Sequence, residues 1–285
     1  MPPRRDRSLP TLRLRDGTPV PRLGLGTWHM GESRAARRRE IAALRAGIDA
    51  SFTLFDTAEM YGDGGAEEVL AQAIADRRDA MFLVSKVYPH NASRKGAMAA
   101  CERSLLRLRT DRLDLYLLHW RGRIPLAETV DAFERLRREG KILRWGVSNF
   151  DESDLDELLA LPDGAHCAAN QVLYHLGERG IEWSLASACR RHALAIMAYS
   201  PLGEGTLLRH PKLVRIARTV DATPAQVALA WLLAQDDVIA IAQTSDRAHV
   251  IENRAAAAIA LPASARAALD RAFPPPDCAR PLAVI

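Results

Sequence analysis

No apolar run in this 285-residue chain approaches the ~20 residues needed to span a bilayer, which argues against a transmembrane helix. The first residues, Met1-Pro2-Pro3-Arg4-Arg5, carry paired arginines. No apolar stretch follows them, so a secretory or twin-arginine signal is not expected and a cytoplasmic location is. Cysteine is scarce. Cys101, Cys167, Cys189 and Cys278 are scattered with no CxxC pair, which reads as reduced thiols rather than a disulfide framework or a zinc site. The net charge is only +4, and the densest basic run, Arg37-Arg38-Arg39, falls in a helical pattern. It reads as a solvated face, and a nucleic-acid partner is not expected. No linker, repeat or low-complexity segment divides the chain. Lysine is the scarcest charge: among 39 basic residues only Lys86, Lys95, Lys141 and Lys212 are not arginine. Lys86 stands inside an apolar run, and lysine is the cation whose pKa yields to burial, a role arginine cannot fill.

What is present is a repeated alternation. Hydrophobic residues make up 48% and charged residues 26%, enough for a large core. Short apolar runs predict strands at Leu23–Trp28, Thr53–Thr57, Phe82–Val87, Leu113–His119, Leu143–Ser148, Ala168–Leu173, Ala195–Tyr199 and Val238–Thr244. Between and after them, 3.6-residue patterns predict helices at Ala35–Asp49, Glu67–Asp76, Arg94–Leu108, Leu126–Glu139, Glu152–Leu161, Ile181–His192, Pro224–Ala234 and Ala248–Ala258. Thr223-Pro224 is a helix start, with threonine as cap and proline in the first turn. An alternating segment around Asp16-Gly17 predicts an N-terminal β-hairpin. A last helix at Ala263–Phe273 is stopped by Pro274-Pro275-Pro276, leaving a tail at 274–285, and residues 1–10 are expected to be flexible. Strands alternating with helices form a parallel sheet that must be covered on both faces, and at this length an α/β fold of the (β/α)8 TIM-barrel type follows, as one domain over 1–285. The open doubly wound alternative is disfavoured. Gly24-Leu25-Gly26-Thr27-Trp28-His29 lacks the third glycine of a dinucleotide-binding G-x-G-x-x-G.

In such a barrel, chemistry sits at the C-terminal ends of the strands. The second strand ends in Asp56, with Tyr61 five positions on. The third ends in Ser85-Lys86-Val87, the fourth in Leu118-His119-Trp120, and the fifth in Val147-Ser148-Asn149. Each residue alone has an ordinary structural reading as a cap, a packing tyrosine, a snorkelling lysine or a core histidine. Their joint occurrence on consecutive strand ends does not. A tyrosine hydroxyl is a poor acid at neutral pH, a nearby ammonium lowers its pKa, and a carboxylate keeps that ammonium charged. A histidine beside it completes a two-donor site for a developing oxyanion.

From Gly24-Leu25-Gly26-Thr27-Trp28 to Glu252-Asn253 the sequence resembles the aldo-keto reductase family, and most nearly the compact bacterial members that reduce methylglyoxal and related aldehydes. The resemblance implies a catalytic tetrad of Asp56, Tyr61, Lys86 and His119, with Tyr61 as proton donor in NAD(P)H-dependent reduction of small aldehydes and ketones. It implies cofactor contacts at Gly26, Thr27 and Trp28, nicotinamide contacts at Ser148, Asn149 and Gln171, and a ring-stacking face at Tyr199. Ser200, Pro201, Leu202 and Gly203 would face the diphosphate. Trp28, Tyr88 and Trp120 would form the substrate walls. The cofactor-phosphate segment departs from the family pattern: Gln243 stands where a lysine is expected and His249 where an arginine is, while Thr244, Glu252 and Asn253 fit. That loss weakens a 2′-phosphate clamp, so NADPH is the first choice with NADH or dual use beside it, and Arg247 or Arg254 could compensate. Two other readings stay open at this point. One is a cofactor-binding regulatory subunit that needs the nicotinamide contacts but no turnover. The other is a metal-dependent lyase or isomerase, against which the strand ends offer one His and one Asp and no second carboxylate.

Overall fold

The structure is a computed structural model and describes residues 9–285. The flexible start expected at residues 1–10 thus lies, as far as residue 8, outside the described residues. Two short strands, β1 (Thr11–Arg13) and β2 (Pro19–Pro21), pair antiparallel with Leu12 opposite Val20. Gly17 sits at φ +84° in the turn between them, the left-handed conformation that glycine adopts without cost. Eight parallel strands follow. They are β3 (Leu23–Gly26), β4 (Leu54–Asp56), β5 (Phe82–Val87), β6 (Leu115–Leu118), β7 (Trp145–Ser148), β8 (Cys167–Leu173), β9 (Ala195–Tyr199) and β10 (Val238–Gln243). They close into a barrel in chain order, β10 pairing with both β9 and β3.

The covering helices are α1 (Arg37–Asp49), α2 (Gly65–Ile74), α3 (Arg94–Leu108), α4 (Leu126–Arg138), α5 (Glu152–Leu159), α6 (Leu185–Arg191), α7 (Pro211–Thr219), α8 (Pro224–Leu233), α9 (Arg247–Ala255) and α10 (Ala263–Ala272). Every strand and helix read from the sequence is present, most within one or two residues at each end. Ile181–His192 is shorter than expected, because Gly180–Glu182 forms a separate 3-10 turn and α6 starts at Leu185. Helix α7 has no counterpart in the sequence reading. Thr223 caps α8 as expected, and Gln226 returns the bond to the Thr223 backbone N–H.

The period-two alternation of a strand sorts each residue into one of two cores. Leu54, Phe82, Val84, Leu115, Leu117, Ala195, Met197, Ile239 and Ile241 fill the barrel interior, and Leu14 and Val20 of the hairpin join them. Leu83, Val87, Tyr116, Leu118, Val147, Val172 and Ile196 belong to the larger core shared with the helices. Counting on by twos from the interior residues brings one position from each strand end to the barrel mouth: Gly26, Asp56, Lys86, His119, Ser148, Gln171, Tyr199 and Gln243. Gly24 is one layer deeper. A Cβ there would stand 2.7 Å from Leu54 Cγ, so the interior leaves room only for hydrogen.

Candidate active site

Two clefts open at the mouth and share Trp28, Ser200 and Gln243. The deeper one is lined by seven of those eight strand-end residues together with Trp28, Met60, Tyr61, Trp120, Asn149, Ser200, Ile241 and Ile285. The missing one is Lys86, which lies fully buried beneath the others.

Lys86 Nζ donates to Asp56 Oδ1 at 2.5 Å and to the Thr57 carbonyl at 2.9 Å, and its third contact is the Tyr61 hydroxyl at 3.2 Å. The ammonium therefore has a partner for each proton, which is the condition for burying a charge. Burial works against that charge, but Asp56 and the Tyr61 oxygen together overturn it, and the Lys86 pKa lies above the ordinary lysine value. Tyr61 departs from the sequence expectation. Burial pushes its hydroxyl up, the Lys86 charge pulls it back, and the Asp56 charge adds to the rise, so the net shift is upward. In this state Tyr61 is a neutral hydroxyl that holds a proton ready to give.

The His119 ring stands edge-on to Tyr61 with centroids 5.7 Å apart. Burial and the Lys86 charge push its pKa well down, so the imidazole is neutral. Its Nδ1 is buried without a partner. A stranded N–H costs more than a stranded lone pair, since orphaned donors are the rarer case in folded proteins. A proton on Nε2 is the tautomer this enclosure favours, which leaves Nε2 as the nitrogen to act as a donor.

The expected nicotinamide contacts are all at the mouth, but they bond one another or the neighbouring Asp56 and His119. Gln171 Nε2 donates to Asp56 Oδ2 at 2.8 Å. Asn149 Nδ2 donates to the His119 carbonyl and to Ser148 Oγ, both at 3.2 Å, and its Oδ1 accepts from the Tyr199 hydroxyl at 2.9 Å. Of the other expected residues, Gly26, Trp28 and Ser200 line the deep cleft, and Ser200, Pro201, Leu202, Gln243, Thr244, His249, Glu252 and Asn253 line the second. Thr27 and Gly203 line neither. Thr27 is buried with its hydroxyl on the Asp56 carbonyl at 3.1 Å. Tyr88 also stands off the lining: its ring packs edge-on against Trp120 at 5.7 Å and beside His119 at 6.5 Å. Arg254, the other candidate to compensate at the phosphate segment, reaches across to α1. Its Nε bonds the Ala50 carbonyl at the end of α1, at the far end of α9 from His249.

Sequence reasoning missed Met60, Ile241, Ile285, His29, Glu204, Gly205, Leu208 and Ala225 among the lining residues. Met60 carried a signal, its place beside Tyr61. Ile285 carried none, because only the folded tail brings it to Tyr199. His29, Asn149, Ser200 and Glu204 have φ between +46° and +64°, the left-handed region, as do turn residues away from the clefts such as Ser51, Arg109 and Asp221.

An eight-stranded parallel barrel with a buried lysine, its carboxylate partner, a tyrosine and a neutral histidine at the mouth defines a proton-donating site for a carbonyl oxygen. The chain belongs to the aldo/keto reductase family, whose model matches residues 22–273. It is 50% identical to the methylglyoxal reductase YeaE of Escherichia coli (strain K12) over 90% of this chain and 92% of that protein. It is 33% identical to the glyoxal reductase of Bacillus subtilis (strain 168) over 85% of each. A crystal structure of an aldo-keto reductase from Klebsiella pneumoniae in complex with NADPH shares 51% identity at a TM-score of 0.94, covering 96% of this chain and 99% of that one. No helix among the described residues is long and apolar enough to cross a membrane.

Proposed function

We propose that this protein reduces small uncharged aldehydes, 2-oxoaldehydes such as methylglyoxal first among them, with NADPH as reductant and Tyr61 as proton donor, as one cytoplasmic barrel domain over 1–285. The observation that carries the reading is the 3.2 Å contact between Tyr61 and a fully buried lysine at the floor of the deep cleft. Among the described residues, neither Lys nor Arg lines that cleft. Its lining sets the rings of Trp28, Tyr61, Trp120 and Tyr199 and the apolar Met60, Ile241 and Ile285 beside uncharged polar groups and the Asp56 carboxylate, so a substrate bearing phosphate or carboxylate would lose hydration there and meet no cation on the cleft surface in return. The Klebsiella relative holds NADPH, which supports the same cofactor here.

The residues fit such a dinucleotide. The two clefts join through Trp28, Ser200 and Gln243, which gives an extended molecule a path from the buried tetrad to the exposed α9 end. Ser148, Asn149, Gln171 and Tyr199 would hold the nicotinamide, Ser200, Pro201 and Leu202 the diphosphate, and Gln243, Thr244, His249, Glu252 and Asn253 the adenosine. The cofactor supplies hydride to the carbonyl carbon when bound. Tyr61 gives its proton to the oxygen, His119 donates to the same oxygen through Nε2, and Lys86 stabilises the phenolate that remains. Asp56, shared by Lys86 and Gln171, keeps the lysine charged and in place. The test is NADPH and NADH oxidation by the purified protein with methylglyoxal, glyoxal, aromatic aldehydes and an anionic sugar-phosphate aldehyde. Turnover of the neutral aldehydes above the anionic one is expected. Preference for the phosphorylated substrate would overturn the reading, and so would no turnover of any carbonyl.

A further inference from the structure

We propose that Glu59 is the positioning residue that sets the contact between Tyr61 and Lys86. The proposal rests on Tyr61 being the proton donor. Glu59 lines neither cleft, yet it is only 8% exposed, and a buried carboxylate is retained only where its hydrogen bonds are made. Its Oε1 accepts from the Tyr88 backbone N–H at 2.9 Å and from Asn91 Nδ2 at 3.0 Å, and its Oε2 faces Arg103 at 3.3 Å. Its own N–H points at the Lys86 carbonyl, 3.4 Å away.

The sequence positions turn these bonds into a bracket. Glu59 is two residues before Tyr61, and Tyr88 is two residues after Lys86. The Glu59–Tyr88 bond therefore closes a short loop of chain around the Tyr61–Lys86 contact. A second tie lies on the other flank. Ser85, turned outward next to Lys86, donates to Glu67 Oε1 at 2.7 Å, and Arg107 holds Oε2 of that carboxylate at 2.6 Å. Arg103 and Arg107, one turn apart on α3, each serve one of the two carboxylates. Tyr61 lies between Glu59 and Glu67 in the chain, and Lys86 between Ser85 and Tyr88, so both sides of the contact are fixed from outside the barrel. The attraction between the ammonium and the tyrosine oxygen falls with separation. If the loop carrying Tyr61 drifts, the pull of Lys86 on its pKa weakens and that pKa rises.

Glu59→Ala, Glu59→Gln and Asn91→Ala test this. Three readouts apply: kcat and KM across pH, the NADPH dissociation constant, and the Tyr61 titration midpoint by NMR of isotope-labelled tyrosine, its signal identified by loss in Tyr61→Phe. For Glu59→Ala, kcat is expected to fall about tenfold or more, as for a small misplacement of reacting groups. The NADPH constant should stay within about twofold, and the midpoint should move up. Glu59→Gln, which keeps an acceptor for Tyr88 N–H and Asn91, should recover most of the loss, and Asn91→Ala should fall between. Wild-type kcat and midpoint in Glu59→Ala would overturn the proposal. A kcat loss that only tracks the folded fraction, with the midpoint unmoved, would overturn it too. If Glu59→Ala does not fold, unmoved midpoints in the other two variants decide against it. The midpoint needs no turnover, so inactivity on every carbonyl would count against the proposed function and leave the judgement on Glu59 to the titration.

Discussion

Removing one oxygen atom, in Tyr61→Phe, should lower reduction about 10²–10⁴-fold, the usual contribution of a general acid, and leave NADPH affinity nearly unchanged. Lys86→Met should be as damaging at neutral pH, since Tyr61 then keeps the upward push of burial and Asp56 and loses the only opposing charge. Asp56 retains Gln171 as a partner in that variant, and circular dichroism would separate misfolding from loss of catalysis. Near wild-type turnover in either variant would contradict the assignment. Gln243→Lys belongs to the same scale. The side chain lines both clefts, and a new ammonium there should tighten NADPH about tenfold, roughly 1.4 kcal/mol, with little effect on NADH. Equal effects on the two cofactors, measured as dissociation constants at low and high salt, would remove Gln243 from the 2′-phosphate. The gathering of Asp56, Lys86 and His119 at the barrel mouth, with Tyr61 on the loop after Asp56, was legible because these residues follow consecutive strand ends in order. Their electrostatic balance was not. The net upward shift of Tyr61 depends on burial, which no spacing encodes, and the neutral state of His119 depends on burial and on the Lys86 charge beside it, visible only in three dimensions.

Thr223 illustrates what the sequence encodes at the scale of one element. Its side chain accepts from the Gln226 N–H at 3.2 Å, and Gln226 returns a bond to the Thr223 N–H at 3.0 Å. Thr223→Ala should cost about 1 kcal/mol, read as a lower urea midpoint with an unchanged slope. Such caps are local chemistry and were read correctly. Helix α7 shows the opposite case. Its start is marked by Pro211 after His210, and Leu213, Ile216 and Ala217 form its buried face. Leu213, Val214, Ile216 and Ala217 are four apolar positions in nine residues, and Leu213, Ile216 and Ala217 stand at the helical spacing i, i+3, i+4, but the segment is short and interrupted by Lys212 and Arg215. The face gains its meaning from α8 and α10, against which it packs. Gln171 and Asn149 follow the same rule. Their presence at strand ends was readable, but their commitment to Asp56, His119 and Tyr199 arises from neighbouring strands meeting around the closed barrel.

Over the whole molecule, the two ends of the barrel carry separate duties. The hairpin inserts Leu14 and Val20 into the interior core at the end away from the clefts. Leu14→Ala should therefore cost about 2–3 kcal/mol of stability, the lower part of the range for a buried leucine, and leave kcat unchanged; a loss of kcat with full stability would mean the two ends are coupled. Closure of the sheet was legible from the count of alternating runs, whereas the tail that brings Ile285 beside Tyr199 was not. The scarcity of lysine has a consequence for chemical modification. Lys95 and Lys212 are exposed and Lys141 is partly so, while Lys86 is sealed beneath the cleft with all three of its protons engaged. Amine-directed reagents should therefore acylate three lysines of the native protein and spare the fourth. Peptide mapping should find Lys86 labelled only in molecules that have unfolded, so its acylation rate becomes a clock for global opening, and immobilisation through surface amines should leave the catalytic centre intact.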